Sequence, residues 1–330
     1  MSRPFEFGVL LHTRHLIRDD GMPPTFDELW EGAALAEEMG FDHIWLGDSV
    51  TVLDKARGDC LALMAALGAR IHRVKVGTVP LVPALRNPVL LAHTLATIDV
   101  ISQGRLILGV SVAPNAPYIQ RQFEACGVPF HQKAGRLSES IEVMKRLWSE
   151  TKVTYRGRYF ELEDVGILPQ PVQKPSIPVW IAADRSENAF RRVARLGDGW
   201  FTTGRTLKKF VADRQRIVDL GNEQGRSLEA MPSGLYAAMH IHRDGELARE
   251  QGWAWMEEFF RQPRAKLIHH TGIFGSPEEC AKVLQGYIDA GLTSIVVRIA
   301  SSDAKTQMSL LLEEVKPLLA PRTATAAAGS

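Results

Sequence analysis

The sequence predicts an α/β fold, a (β/α)8 TIM barrel with insertions, on three observations. Strand-like apolar runs alternate with helical ones along almost the whole chain, which demands parallel strands with right-handed crossovers and leaves an open doubly wound sheet or a closed barrel. No Gly-x-Gly-x-x-Gly follows the first strand, where an open dinucleotide-binding sheet would carry it. The alternation continues through the second half, enough for about eight strands, which favours closure.

Taken in order, Phe5 to Leu11 reads as a strand and Phe26 to Met39 as an amphipathic helix ending at Gly40. His43 to Leu46 is a strand closing on Gly47-Asp48-Ser49, Asp59 to Arg70 a helix, and Val74 to Pro80 a strand. Pro88 to Ile101 is a helix begun by proline, as its first turn permits, and Arg105 to Val112 a strand. Val179 to Ala182, Gly199 to Thr203 and Ser294 to Ala300 continue the strand series. Ala113 to Gln132 and the proline-rich Tyr155 to Pro178 read as long connections, of the kind that builds the active rim of a barrel. Leu235 to His242 alternates like an extra strand and Glu246 to Phe260 resembles a helix, which places an insertion at about 226–275 between the seventh and eighth barrel strands. Residues 1–320 are thus expected to form a single domain, with 321–330 a mobile tail of Ala, Thr, Gly and Ser.

Composition narrows the function. The 330 residues, 45% hydrophobic and 23% charged, suit an ordinary soluble domain with a large core. The 39 basic and 38 acidic residues nearly cancel, so nucleic acid is not an expected partner. Cys60, Cys126 and Cys280 are odd in number and far apart, which fits free buried thiols in a reducing compartment rather than a disulfide framework or zinc site. His240 and His242 share a strand face with no third ligand nearby, so no metal is expected. There is no basic leader with an apolar core and no run of about 20 apolar residues, which points to a cytoplasmic protein without membrane contact.

The most informative unit runs from Pro178-Val179-Trp180-Ile181-Ala182-Ala183-Asp184-Arg185-Ser186 through an arginine-rich helix to Leu196-Gly197-Asp198-Gly199-Trp200-Phe201-Thr202-Thr203-Gly204. Two strands stop at polar positions on either side of a helix start. Backbone N–H groups around Ala183, Arg185 and Ser186, the hydroxyls of Thr202 and Thr203, and the cation of Arg205 can converge there on a phosphate.

This unit is similar to the second half of the bacterial luciferase-like monooxygenases, barrel enzymes that use FMN or the deazaflavin coenzyme F-420. The resemblance extends from Phe7 to about Leu319. Glu37 to Asp42 resembles the family's first helix and second strand, Asp99 to Gly109 its third helix and fourth strand, and Arg136 to Trp148 the helix that follows. Gly77-Thr78-Val79 with Arg86-Asn87-Pro88 resembles the third strand, where the family often has a bulge with a non-proline cis peptide beneath the flavin ring. The match puts it at Thr78-Val79. Two departures stand out. Gly109-Val110-Ser111-Val112-Ala113 replaces a frequent Gly-x-Gly-x-Gly, so Ser111 fills space that a glycine leaves open, and Ala183-Asp184 replaces a frequent Gly-Gly. An aspartate beside a phosphate repels it unless it caps the helix at Ser186 or pairs with Arg185.

For the chemistry, His12 follows the first strand in a cluster with Thr13, Arg14 and His15, and reads either as a general acid/base or as a solvated loop residue. Asp48 ends the second strand, suited to binding the flavin pyrimidine edge, orienting His12 or capping a helix with Ser49. Asn115 follows the fourth strand, suited to ring or ribityl oxygens or to a turn. His269 and His270 lie in a loop able to close over substrate, and Arg298 in the last strand needs an anionic partner such as a phosphate or carboxylate. The resemblance implies a homodimer and, foremost, a monooxygenase that uses reduced FMN from a separate flavin reductase and O2 to oxygenate a small organic substrate. It admits as alternatives hydride transfer with the deazaflavin and, after that, a flavin-binding paralogue without turnover. An isomerase or aldolase barrel would show a strand-end Lys or a carboxylate metal cluster, and neither occurs at the expected strand ends.

Overall fold

Each apolar run serves two cores at once, and that double burial closes the sheet. The structure is a computed structural model describing residues 4–13, 25–50, 57–203, 206–267 and 270–321. Its elements are β1 (Glu6–Leu10), α1 (Asp27–Met39), β2 (His43–Leu46), α2 (Cys60–Arg70), β3 (Lys75–Thr78), α3 (Pro88–Ile101), β4 (Leu106–Val110), α4 (Pro117–Ala125), α5 (Lys133–Ser149), the hairpin β5 (Val153–Arg156) and β6 (Glu161–Val165), β7 (Val179–Ala182), α6 (Glu187–Leu196), β8 (Gly199–Thr203), α7 (Leu207–Asn222), β9 (Ser233–Ile241), α8 (Gly245–Phe260), β10 (Thr271–Gly275), α9 (Pro277–Asp289), β11 (Ser294–Ile299) and α10 (Ala304–Ser309). Strands β9, β11, β1, β2, β3, β4, β7 and β8 pair in that order, all parallel, and β8 returns to β9. This is a closed eight-stranded barrel ringed by helices.

Local chemistry sets the helix ends. Asp59 accepts the Ala62 N–H to cap α2, Asn87 accepts from Val89 and Leu90 ahead of the proline that opens α3, and Ser276 with Glu279 forms a capping box at α9. Gly40 ends α1 at φ 93°, a conformation that glycine adopts without Cβ strain.

The run Leu235 to His242, expected as an inserted strand, lies almost wholly in the seventh barrel strand. The first part of β9 pairs with β8, from Trp200↔Ser233 to Thr203↔Tyr236, and its last part with β10, from Thr271↔Ala237 to Gly275↔Ile241. The additional strand is therefore β10. Alternation in β9 separates barrel interior from helix layer, not core from water, so period two alone did not reveal its place.

Inside the barrel, Leu10, Trp45, Val79, Ile107, Trp180, Phe201 and Val296 form one cluster. The Phe201 ring lies 4.9 Å from Trp45 and 5.1 Å from Trp180. Glycines make room for them: a Cβ on Gly77 would stand 2.3 Å from Trp45, and one on Gly234 2.5 Å from Phe201. The barrel centre is therefore a plug, and chemistry is confined to its mouth. Trp200 points the other way, stacking on Phe210 at 5.4 Å. No helix among the described residues is long and apolar enough to cross a membrane. The three cysteines are free thiols, with Cys60 and Cys280 buried.

Candidate active site at the barrel mouth

Alternation along β1 turns Gly8 and Leu10 to the barrel axis and brings His12 to the rim. His12 lines a cavity of about 1170 Å3 together with Leu10, Tyr118, Arg121, Trp255 and Phe259. Helix α8 supplies the aromatic wall, because Trp255 and Phe259 are four residues apart and share a face, stacked at 4.7 Å. The imidazole sits 5.1 Å from Phe259 and 5.6 Å from Trp255. Phe260 stacks on His270 at 4.3 Å, which places that loop histidine against the same wall.

Arg298 lies against this wall, and Arg57 is close enough to it for their charges to interact. Arg298, in β11, shares the inward register of Ser294 and Val296. It is 9% exposed, donates from Nη2 to the Tyr236 hydroxyl, and lies over the rings of Phe259 at 4.5 Å and Phe260 at 5.2 Å. Its Nη1 is buried with no hydrogen-bond partner. Arg57 lies across Gly47, just past β2, where a Cβ on that glycine would meet Arg57 Nη1 at 2.1 Å. Its Nε is also buried and unpartnered. Burial lowers the Arg57 pKa from its ordinary value, with Cys60, Tyr236 and Asp48 opposing that shift and Arg298 adding to it. Neither arginine has an ion-pair partner among the described residues.

Asp48 is committed elsewhere. Its side chain is 2% exposed, takes a forked ion pair from Arg86 at 2.7 and 2.9 Å, and accepts the Val82 N–H at 3.2 Å. It clamps the segment after β3 to the end of β2. Thr78 is fully buried and donates to the Gly109 carbonyl at 2.7 Å, while Val79 faces the barrel interior. The cis peptide there is Val79–Pro80, one residue beyond the expected Thr78–Val79, and it is a proline bond. Ser111 accepts the Ala113 N–H at 3.1 Å. Asn115 is exposed and accepts from Lys133 Nζ at 2.7 Å, a lysine that also bonds the Ala113 carbonyl.

Across the mouth, at the ends of β7 and β8, Thr202 and Thr203 donate to the two carboxylate oxygens of Asp184, at 2.9 and 3.0 Å. Asp184 thus settles on hydroxyls of the neighbouring strand. Ala183 is buried, its N–H bonded to the Phe201 carbonyl at 3.1 Å, and Arg185 is exposed with φ 58°. Ser186 precedes α6 without capping it through its side chain, so the helix start keeps its N–H groups for an anion. Arg205, like Arg14, His15 and His269, lies outside the described residues.

The structure therefore brings His12 and Arg298 to one aromatic wall, sets Arg57 close to Arg298, and places Ala183 to Ser186 with Thr202 and Thr203 in a second group. From the sequence, Phe123, Phe130, Trp200 and Trp255 read either as the wall of an apolar cavity or as ordinary core, and of these Trp255 lines the cavity; Arg57 and Phe259 escaped sequence reasoning about the site. Arg57 follows a stretch without periodicity, and only the i, i+4 spacing of the two aromatics on α8 hinted at a shared face. No group of three or more His, Cys, Asp or Glu suited to a metal occurs among the described residues.

A profile of the luciferase-like monooxygenases matches residues 5–270. The F420-dependent glucose-6-phosphate dehydrogenase of Amycolatopsis mediterranei (strain U-32) is 29% identical over 320 residues, covering 88% of this chain and 94% of that protein. Among solved structures, the monooxygenase RslO1 from Streptomyces bottropensis superposes with a TM-score of 0.81 at 23% identity, covering 94% of this chain and 99% of that one. An F420-dependent secondary alcohol dehydrogenase in complex with an F420-acetone adduct superposes at 0.79 with 19% identity, covering 96% and 99%.

Proposed function

The chain belongs to the luciferase-like monooxygenase family, whose members are oxidoreductases, and on that premise we propose that it is a deazaflavin-dependent dehydrogenase or reductase acting on a small organic substrate. The observation that carries this reading is the near full-length similarity to F420-dependent glucose-6-phosphate dehydrogenases at 29% identity. Oxygenation with reduced FMN and a partner reductase, the other reading of the sequence, has the family's name and the RslO1 fold behind it, and at 23% identity the latter speaks for fold alone.

The mouth fits such a coenzyme on its own geometry. Leu10, Val79, Phe201 and Val296 make an apolar floor for a flat ring, Ser111 stands at its edge, and the uncapped start of α6 beside Thr202 and Thr203 suits the phosphate. When bound, the coenzyme supplies a two-electron hydride acceptor or donor. His12 moves the proton that must accompany the hydride, taking it from a substrate hydroxyl at Nε2 or returning it to a carbonyl. Trp255 and Phe259 hold the imidazole and exclude water from the exchange. Asp48, through Arg86 and the Val82 N–H, holds the segment that carries Val79. The apolar residues that α3 leaves exposed, Leu90, Val100 and Ile101, are the surface we assign to a homodimer, which light scattering tests directly.

Equilibrium titration with the deazaflavin coenzyme and with oxidised and reduced FMN tests the reading. Preference for the deazaflavin by tenfold or more, together with substrate turnover that is unchanged without oxygen, is the expected result. Preference for reduced FMN and an absolute need for oxygen would return the protein to the oxygenases.

A further inference from the structure

We propose that Arg57 and Arg298 form an oxyanion subsite at the barrel mouth, which selects substrates bearing a carboxylate or phosphoryl group. The assignment of this anion to a substrate rests on the dehydrogenase reading above; the site itself rests on geometry alone. Each guanidinium keeps one buried N–H without a partner, Arg57 at Nε and Arg298 at Nη1, and Arg298 lies over the rings of Phe259 and Phe260 that line the cavity. A buried charge left unpaired is costly, and no carboxylate among the described residues pairs with either one: Asp48, whose charge reaches Arg57 only at a distance, is bonded to Arg86. The remaining surroundings of Arg298 are the Tyr236 hydroxyl and three aromatic faces, which solvate the cation weakly.

Strand order makes the arrangement purposeful. β11, bearing Arg298, and β2, whose end Gly47 seats Arg57, are the two neighbours of β1, the strand that leads to His12, and the two cations are close enough for their charges to interact. The start of α6, which suits the coenzyme phosphate, lies at β7 and β8 on the other side of the ring of strands. The mouth therefore offers two separate anion positions, and the one beside the proton-transferring group is the substrate's. Planar forked donors match carboxylate and phosphoryl oxygens, and an anion held there places an adjacent hydroxyl-bearing carbon within reach of His12.

The test uses the full chain and two probes, inorganic phosphate and 3-hydroxybutyrate, each titrated calorimetrically with and without saturating deazaflavin coenzyme. With coenzyme present, the parent should bind at least one probe saturably, and Arg298→Gln and Arg57→Gln should each weaken it roughly ten- to a hundredfold, the range for a hydrogen bond to a charged group. Arg298→Lys, which keeps the charge and loses the fork, should fall between. Which probe binds tells carboxylate from phosphoryl. Coenzyme affinity, measured separately, should stay within a few-fold in all variants and so also reports their folding. Probe binding that is absent in the parent, or indifferent to both glutamine substitutions in variants that still bind coenzyme, overturns the subsite. Arginine-dependent probe binding in a chain that does not bind the deazaflavin would instead overturn the cofactor reading and leave the subsite standing.

Discussion

The indole N–H of Trp45 donates to Nδ1 of His43 at 2.6 Å, and so determines which tautomer occupies the base of the barrel. With Nδ1 accepting, the ring proton lies on Nε2 and reaches the Ser294 hydroxyl at 3.0 Å. Glu6 stands 3.7 Å from the same nitrogen but is paired with Lys75 at 2.7 Å. Burial, reinforced by the Lys75 charge, depresses the His43 pKa to about 3, so the ring is neutral and the aromatic plug rests on a satisfied polar network.

This network makes stability sensitive to acid. The unfolded chain protonates His43 near the ordinary 6.5 and the fold resists until about 3, so stability is lost as pH falls through that window. Between pH 7 and 5 the loss from this residue is about 2 kcal/mol. Urea unfolding at both values should show it, and His43→Asn, which keeps an acceptor for Trp45 but does not titrate, should lose that part of the pH dependence. An unchanged difference between the two pH values would remove His43 as its source.

The plug itself is testable through its glycine seats. In Gly77→Ala the new Cβ would lie 2.3 Å from a Trp45 ring that Phe201 and Trp180 hold on its other sides, so overpacking should cost about 1–3 kcal/mol. Gly32→Ala, inside α1 with its nearest neighbour at 3.5 Å, should instead stabilise by up to about 1 kcal/mol through helix propensity. Thermal melts of the two variants moving in the same direction would contradict this account.

These contrasts also show how much was readable from the chain. The barrel was, because buried parallel strands leave continuous apolar runs such as Ser294 to Ala300 between helices with clear caps. The place of His12 on the cavity was, because it directly follows the first such run. What depended on register was not. Asp184 was expected to repel phosphate unless it turned to Ser186 or Arg185, and it turned instead to Thr202 and Thr203, whose strand lies beside its own only through the pairing Ala182↔Phe201. Asp48 was read as binding the flavin edge, orienting His12 or capping a helix, and only tertiary folding brings Arg86 to it from 38 residues away.

The Asp184 arrangement yields its own expectation. If the start of α6 holds the coenzyme phosphate, the carboxylate nearby disfavours it, and Asp184→Asn should tighten binding of FMN and the deazaflavin by roughly 1 kcal/mol, the scale of two like charges in water. Riboflavin, which lacks the phosphate, should be indifferent. Equal changes for FMN and riboflavin would mean that the phosphate is bound elsewhere.

His12 carries the reaction assignment, and its prediction separates binding from chemistry. The imidazole is packed between the barrel rim and the Trp255/Phe259 wall, so its removal leaves the floor and the α6 start untouched. His12→Ala should therefore bind the deazaflavin as the parent does, yet slow the single-turnover change in coenzyme absorbance by roughly 10²–10⁴-fold, the usual contribution of a general acid or base. A cavity left by the missing ring admits small bases, so added imidazole should restore part of the rate in proportion to its concentration. A structural role would give neither that rescue nor a selective loss of the hydride step. Should the variant turn over any substrate within a few-fold of the parent, the proton would have to move through another group at the mouth, and Tyr236, joined to Arg298, is the one to substitute next.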